Sequence, residues 1–296
     1  MFFLQKYKKK QKEALFIKKK LYLCKKKNMR FSVITINYNN KEGLEHTIES
    51  VLSQTNKDYE YIIIDGGSTD GSIDVIQGFS DYITYWISEK DKGVYHAMNK
   101  GVIQAHGDYS IFMNSGDCFF DEHVLELISD YTTNSSEDII VGKVSIDRNN
   151  NILTPPPSGE ITMYHLYSGA IPHQGAFIKT ELLRHHPYDE TLKISSDWIF
   201  FVNTLILENC PIRYIDEFVA LYDTKGISST NSALMRKEKD EYLKSIFPPR
   251  VLADYNLMKE SECLTQKITP LLRKNYSIDK LLFRIGKTLL RIKGAF

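Results

Sequence analysis

Three stretches of this 296-residue sequence hold residue types that can do chemistry. In the first, the apolar run Ile111 to Met113 breaks into Asn114, Ser115 and Gly116 and stops on Asp117. That pattern reads as a buried strand ending in a tight polar turn. A carboxylate just past the carboxyl end of such a strand lies where open α/β sheets build ligand crevices. An oxygen ligand there suits Mg²⁺ or Mn²⁺ bridging to phosphate. In the second stretch, Tyr59 to Ile64 ends on Asp65, followed by Gly66, Gly67, Ser68, Thr69 and Asp70. Asp65 can accept the imide N–H of a uracil, or the imide and amino N–H of a guanine. Gly66 and Gly67 let a flat ligand approach the backbone, and Ser68 is placed to cap a following helix. The third stretch sets Asp91 and Lys92 before Gly93 as a loop suited to a diphosphate, with Asn99 and Lys100 behind it. Taken singly, each stretch is also an ordinary strand end or helix entrance.

The elements that must position these groups alternate in type. Phe31 to Ile36 is a β-branched run ending in Asn37, Tyr38, Asn39 and Asn40, which reads as a buried strand and a polar loop. Leu44, Ile48, Val51 and Leu52 fall at helical spacing, predicting a helix from Lys41 to Gln54. The strand ending at Asp65 follows. Strand, helix and strand at this pace predict a right-handed βαβ unit in a parallel sheet. Tyr95, Met98 and Val102 mark a second sheet-packed helix.

Together these stretches resemble glycosyltransferase family 2, inverting enzymes of the GT-A fold, in its capsule and exopolysaccharide subgroup. Asn37-Tyr38-Asn39 is similar to the family's opening turn, and Asp65 to Asp70 resembles its "DDGSTD" box in a "DGGSTD" form. Asp91 to Gly101 resembles "DxGxYDAMNKG", with His96 in place of an Asp. Asn114 to Asp117 stands where the family keeps its "DxD" metal motif, with Asn114 replacing the first Asp. The resemblance implies an α/β GT-A fold with a mostly parallel sheet over 30–230. It implies that Asn37, Tyr38, Asn39, Asp65, Gly66, Asp91, Lys100, Asn114 and Ser115 face the nucleotide donor. Asp117 would hold Mn²⁺ or Mg²⁺ on the diphosphate. His173 and Gln174 resemble an "HQ" box near donor sugar or acceptor, with Trp198 assigned to the same region. Asp197 falls in a segment similar to "SDxxF", whose Asp serves as general base, while Ser195 and Ser196 are placed to cap its helix. Tyr222 to Ser229 resembles the family's closing loop.

The implied activity is transfer of a sugar from a nucleotide diphosphate donor, by default UDP, to a glycan or lipid-linked acceptor in surface polysaccharide synthesis. A sugar nucleotidylyltransferase would carry a glycine-rich phosphate loop after the first strand. Here no glycine occurs until Gly43. A degenerate sugar-binding or scaffolding relative is the other alternative, opposed by the retention of Asp65, Asp117 and Asp197.

Composition fits this picture: 42% hydrophobic and 25% charged residues are ordinary for a globular protein. Residues 1–30 hold twelve of the 38 Lys and Arg against one acid, Glu13. Such like-charge runs predict a disordered extension over 1–29, or a mis-assigned start. Four scattered cysteines without ligand or disulfide spacing point to a reducing compartment, and no apolar run reaches membrane-spanning length. The expectation is a cytoplasmic protein that does not bind nucleic acid. Residues 231–296 read as a helical appendage broken at Pro248-Pro249. From 277 onward a basic amphipathic helix is suited to peripheral contact with the inner membrane face.

Overall fold

A computed structural model gives the protein's structure over residues 30–133, 135–147, 149, 151–153, 160–224 and 231–274. The expected amphipathic helix at 277–296, the extension before residue 30 and the proline loop at 155–157 lie outside the described residues.

The first half is the expected alternation. Strand β1 (Phe31–Asn37) leads to helix α1 (Lys41–Leu52), β2 (Tyr59–Asp65), α2 (Ser72–Gly78), β3 (Tyr85–Ser88), α3 (Val94–Gln104) and β4 (Tyr109–Phe112). β1 pairs in parallel with both β2 and β4, and β2 pairs in parallel with β3. Every residue of β1 is buried, as a strand covered on both faces requires. Helix α1 buries Leu44, Thr47, Ile48 and Val51, one stripe at three- and four-residue spacing. The register places Asn37 opposite Asp65, and Asp65 opposite Ser88. Three strands therefore finish on a single polar rung.

The second half comprises β5 (Cys118–Phe119), α4 (Val124–Thr132), β6 (Ile139–Ser145), α5 (Met163–Ser168), a 3₁₀ turn (His173–Gly175), β7 (Ala176–Lys179), α6 (Thr180–His185), α7 (Ser196–Phe201) and β8 (Ile212–Leu221). The eight strands lie in the order β3-β2-β1-β4-β7-β6-β8-β5. The sheet is mostly parallel, as expected, with β6 also pairing in parallel with β8, but it is mixed: β7 is antiparallel to both β4 and β6, and β5 to β8. The reversal has a positional consequence. Since β7 runs against β4, its leading turn at His173–Gly175 lies beside the end of β4, where Asn114 to Asp117 begin.

The chain divides into two compact units after Lys239. The second unit takes in the latter part of α8 (Ser232–Ile246) and all of α9 (Pro249–Lys274), with the break at the expected prolines. Within it the rings of Phe247 and Tyr255 meet at 6.2 Å. Residues 231–239, expected as the start of an appendage, belong to the first unit.

Helix α3 packs on β1 through Gly101, where an added Cβ would stand 2.4 Å from Cγ2 of Ile34. A Gly101→Val variant must lift the helix off the sheet. It should lose about 1–3 kcal/mol, measured as a lower urea midpoint at unchanged slope.

Candidate active site

The rung at the ends of β1, β2 and β3 forms one wall of a cleft. Asp65 is fully buried. Its carboxylate accepts hydrogen bonds from Asn37 Nδ2 (2.7 Å), Ser68 Oγ (2.6 Å), Ser88 Oγ (2.5 Å) and the amides of Gly67 and Ser68. Burial alone would raise its pKa, but the donors from Ser68, Ser88 and Asn37 win and hold it below the ordinary carboxylate range. Asp65 therefore braces the loop from within, and in this structure it has no open face for a nucleobase. Ser68 is spent on the same brace instead of capping α2, whose entry is held by Asp70 through the amide and hydroxyl of Ser72. Asn39, at φ 50, links the two loops by accepting from the Thr69 amide (2.9 Å) and donating its own amide to Ser68 Oγ (2.8 Å).

The groups facing the cleft on this side are others. Tyr38 is 68% exposed, unusual for an aromatic side chain beside a buried rung. A Cβ on Gly66 would come within 3.1 Å of the Tyr38 ring and 3.4 Å of Asp91 Oδ2. The absence of a side chain at Gly66 lets the Tyr38 ring and Asp91 close on the same backbone. Asp91 in turn binds Lys100 Nζ at 2.6 Å and His96 Nδ1 at 3.0 Å, so the family's missing carboxylate is replaced by a histidine paired to Asp91. Lys100 also meets Glu89 at 2.9 Å. Burial works against its charge, but pairing with Asp91 and Glu89 raises its pKa. Asn99, one residue earlier, is not a ligand group. It clamps the backbone of Tyr188 with both amide atoms (2.8 and 3.0 Å).

The opposite side is built on the 3₁₀ turn. His173 Nδ1 donates to Asp197 Oδ2 at 2.9 Å, and Tyr95 Oη donates to Asp197 Oδ1 at 2.9 Å. Asn114 Nδ2 meets His173 Nε2 at 3.2 Å. Gln174 hydrogen-bonds Asp117, whose Oδ1 also accepts the amide of Asp223 at 2.8 Å. Two neighbouring residues thus hold two acids that lie 80 positions apart in the chain. Ser115 lies at the edge, its carbonyl accepting from Asn40 Nδ2 at 2.9 Å.

The two acids are shifted in opposite directions. For Asp197, burial opposes ionisation, but His173, Tyr95 and the Trp198 amide overcome it and lower the pKa. His173 is raised in return: burial lowers it, and the hydrogen bond to Asp197 with the fields of Asp197 and Asp117 outweighs that. Tyr95 is pushed far up, by burial first and then by Asp197, so it remains a donor. Asp117 goes the other way. Burial dominates and raises its carboxyl to about 6 despite the Asp223 amide, His173 and Gln174. A buried acid that resists ionisation is what an absent cation would correct. The surroundings fit one. Asn114 Oδ1 is buried with no partner among the described residues. A Cβ on Gly116 (φ +105) would meet Asp223 Oδ2 at 2.5 Å, so the second carboxylate is packed onto the same turn. Two carboxylates and an amide oxygen are hard donors that suit Mg²⁺ or Mn²⁺ completed by water and phosphate. No group of three His, Cys, Asp or Glu poised to hold a metal exists among the described residues.

Trp198 is buried at 3% exposure, with its indole N–H on the Leu166 carbonyl (2.8 Å), and so does not face the cleft. Tyr95 and Asp223 join the site although neither was expected there. Tyr95 lies on the apolar stripe of α3, and its only signal is a hydroxyl at the sheet-facing start of the helix. Asp223 lies in the closing loop, whose contacts depend on the tertiary fold.

The family model described as Glycosyl transferase family 2 matches residues 32–241. The chain belongs to glycosyl transferase family 2. Among curated members of the family, an uncharacterized glycosyltransferase of Mycobacterium tuberculosis is 30% identical over 203 residues, covering 67% of this chain and 76% of the relative. A PGL/p-HBAD biosynthesis glycosyltransferase of Mycobacterium bovis is 28% identical, covering 68% and 79%. A cholesterol galactosyltransferase of Borreliella burgdorferi is 29% identical, covering 71% and 64%. Solved structures share the fold: S. aureus TarS 1–349 in complex with UDP-GlcNAc superposes at TM-score 0.58 with 18% identity, covering 74% of this chain and 68% of that one. The mannosyltransferase PcManGT from Pyrobaculum calidifontis, in complex with GDP-Man and Mn²⁺, gives 0.53 at 13% identity, covering 70% and 60%. The chain spans 60% of the TarS 1–349 chain in complex with UDP.

The raised Asp117 carboxyl has a consequence for stability. Its folded pKa of about 6 exceeds the 3.8 of an ordinary aspartate carboxyl. The fold therefore bears no penalty below about pH 4, an increasing one as pH rises to 6, and the full penalty above it. Asp117→Asn should raise the stability of the cation-free protein at pH 7.5 by about 1–3 kcal/mol and leave it unchanged at pH 4. Urea midpoints at the two pH values check this.

Proposed function

We propose that this protein transfers a sugar with inversion from a UDP-sugar to a hydroxyl of a glycan or lipid-linked acceptor, in the synthesis of cell-surface polysaccharide. One observation carries the reading. Asp197 is held ionised between His173 and Tyr95, with its side chain still 20% exposed, and the adjoining Gln174 holds Asp117, the acid that would stand at the donor diphosphate. An inverting displacement requires a base on one side of the anomeric carbon and a leaving diphosphate on the other.

In this mechanism Asp197 accepts the proton of the acceptor hydroxyl as its oxygen bonds to the anomeric carbon and the nucleoside diphosphate departs. His173 and Tyr95 fix both carboxylate oxygens and leave their remaining lone pairs for the acceptor. A depressed pKa keeps the base ionised at neutral pH. The hydroxyl becomes acidic only as the new bond forms, so a weak base suffices. Tyr38 and Gly66 take the base and ribose, while Asp91 and Lys100 stand beside the sugar phosphates. Asp117, Asn114 and Asp223 would hold Mg²⁺ or Mn²⁺, which when bound neutralises charge on the diphosphate.

Support for UDP comes from TarS, bound to UDP and UDP-GlcNAc; PcManGT was bound to GDP-Man with Mn²⁺. A lipid-linked acceptor accords with a relative named for cholesterol. No helix of the described residues is long and apolar enough to cross a membrane. Peripheral contact, through residues 277–296, is the proposed route to such an acceptor.

Melting temperature in UDP, GDP, dTDP and CDP, each with and without Mn²⁺, tests the donor assignment. UDP with Mn²⁺ should stabilise the wild type by several degrees and Asp117→Asn not at all. UDP-GlcNAc, UDP-glucose and UDP-galactose screened in the same way identify the UDP-sugar that stabilises most; in Asp197→Asn the UDP–Mn²⁺ shift should persist, while release of UDP from that stabilising UDP-sugar falls about 10³-fold or more. No shift with any nucleotide would favour a degenerate or scaffolding protein.

A further inference from the structure

The helix that presents Asp197 lacks the cap expected for it. Ser195 turns its hydroxyl to the carbonyl of Met235 (3.3 Å), and Ser196 Oγ accepts the amide of Asp189 (2.6 Å). Neither serves the amides at the start of α7, and no side-chain cap is formed there. The amides just before the helix are held instead. Lys193 N–H reaches Glu238 Oε1 at 2.8 Å, while Ile194 and Ser195 N–H reach Glu238 Oε2 at 3.1 and 3.0 Å. Glu238 is only 7% exposed. The next residue, Lys239, places Nζ 4.7 Å from the Trp198 ring centre and donates to the Gly169 carbonyl at 3.4 Å. One turn of α8 therefore grips the chain on both sides of Asp197.

A buried carboxylate on three consecutive amides stabilises any loop. The location makes more of it. Asp197 must satisfy Tyr95 from α3 and His173 from the turn before β7, two elements that do not move with its own helix. A shift of about 1 Å at the base costs on the order of 100-fold in rate. The donor wall on β1, β2 and α3 makes none of these Glu238 contacts.

We propose that Glu238 is a positioning residue for sugar transfer, holding Asp197 at its two partners through the backbone of residues 193–195. The proposal rests on the assignment of Asp197 as the base. It also predicts a division of labour: the helix following the closing loop serves the base and not the donor.

The test compares Glu238→Gln, Glu238→Asp, Asp197→Asn and the Glu238→Gln/Asp197→Asn double variant, reading UDP release from the stabilising UDP-sugar in Mn²⁺. Glutamine keeps its oxygen on the Ile194 and Ser195 amides only by turning its NH₂ against the Lys193 amide, so one of the three bonds and the carboxylate charge are lost. Glu238→Gln should lower kcat about 10- to 100-fold with KM for the donor within about twofold, and Glu238→Asp should recover part of the loss. The double variant should be no slower than Asp197→Asn alone, since the base through which Glu238 acts is already gone. A Glu238→Gln kcat within twofold of wild type, a matching loss of donor affinity, or a further drop in the double variant would each overturn the proposal. Should Glu238→Gln fail to fold, Glu238→Asp with kcat unchanged overturns it equally. Near-normal kcat in Asp197→Asn would instead remove the base assignment beneath it.

Discussion

Everything at this site depends on one short turn whose side chains hold two acids shifted in opposite directions. His173 keeps Asp197 ionised, and Gln174 hydrogen-bonds Asp117, which burial pushes toward its neutral form. If both side chains were alike, the acids would be alike too, and neither division of labour nor directional displacement would follow. Pairs of titratable groups driven apart by their surroundings mark acid–base assignments. Here the driving force is a difference between neighbours, an imidazole on one acid and an uncharged amide on the other.

The sheet exists around this turn in a specific sense. An all-parallel sheet would bring the next strand into register from its other end, and the residues before β7 would lie far from the end of β4. The antiparallel run of β7 reverses that, placing His173 beside Asn114. The donor wall uses the opposite device, with three parallel strands ending on one rung that Asp65 ties together. Parallel strands collect like ends, and the antiparallel insert delivers a second loop from the other direction. The cost is local: a buried carboxyl at Asp117 and an orphaned amide oxygen at Asn114, the kind of defect that active sites retain.

The first half of this arrangement was legible in the sequence because its signals are local. β-branched runs, a helical apolar stripe and polar strand ends recur within a few residues of one another, and β1, α1 and β2 lie within two residues of their expected bounds. Asp117 and Asp197 were legible by their motifs, and the turn brings both together. What was not legible depends on contacts across the chain. The reversal of β7 leaves no trace in a four-residue apolar strand. Asp65 looks like a ligand by type, yet the Ser68 hydroxyl of its own loop and the Ser88 hydroxyl at the end of β3 occupy it. Trp198 follows Asp197 in sequence, but helix periodicity turns it inward. Ser195 and Ser196 have the composition of a cap, yet their side chains meet Met235 and Asp189, and a glutamate some forty positions later holds the amides just before the helix.

The pair at the centre can be observed directly. Nitrogen-15 NMR titration of His173, in the wild type and in Asp197→Asn, reads the proton on the imidazole that faces the proposed base. The account predicts a wild-type pKa above the ordinary 6.5 and a fall of about one unit or more in Asp197→Asn. An unshifted value, the same in both proteins, would mean that His173 and Asp197 do not share a proton-bearing contact. The opposite shifts of the two acids across the turn would then be contradicted.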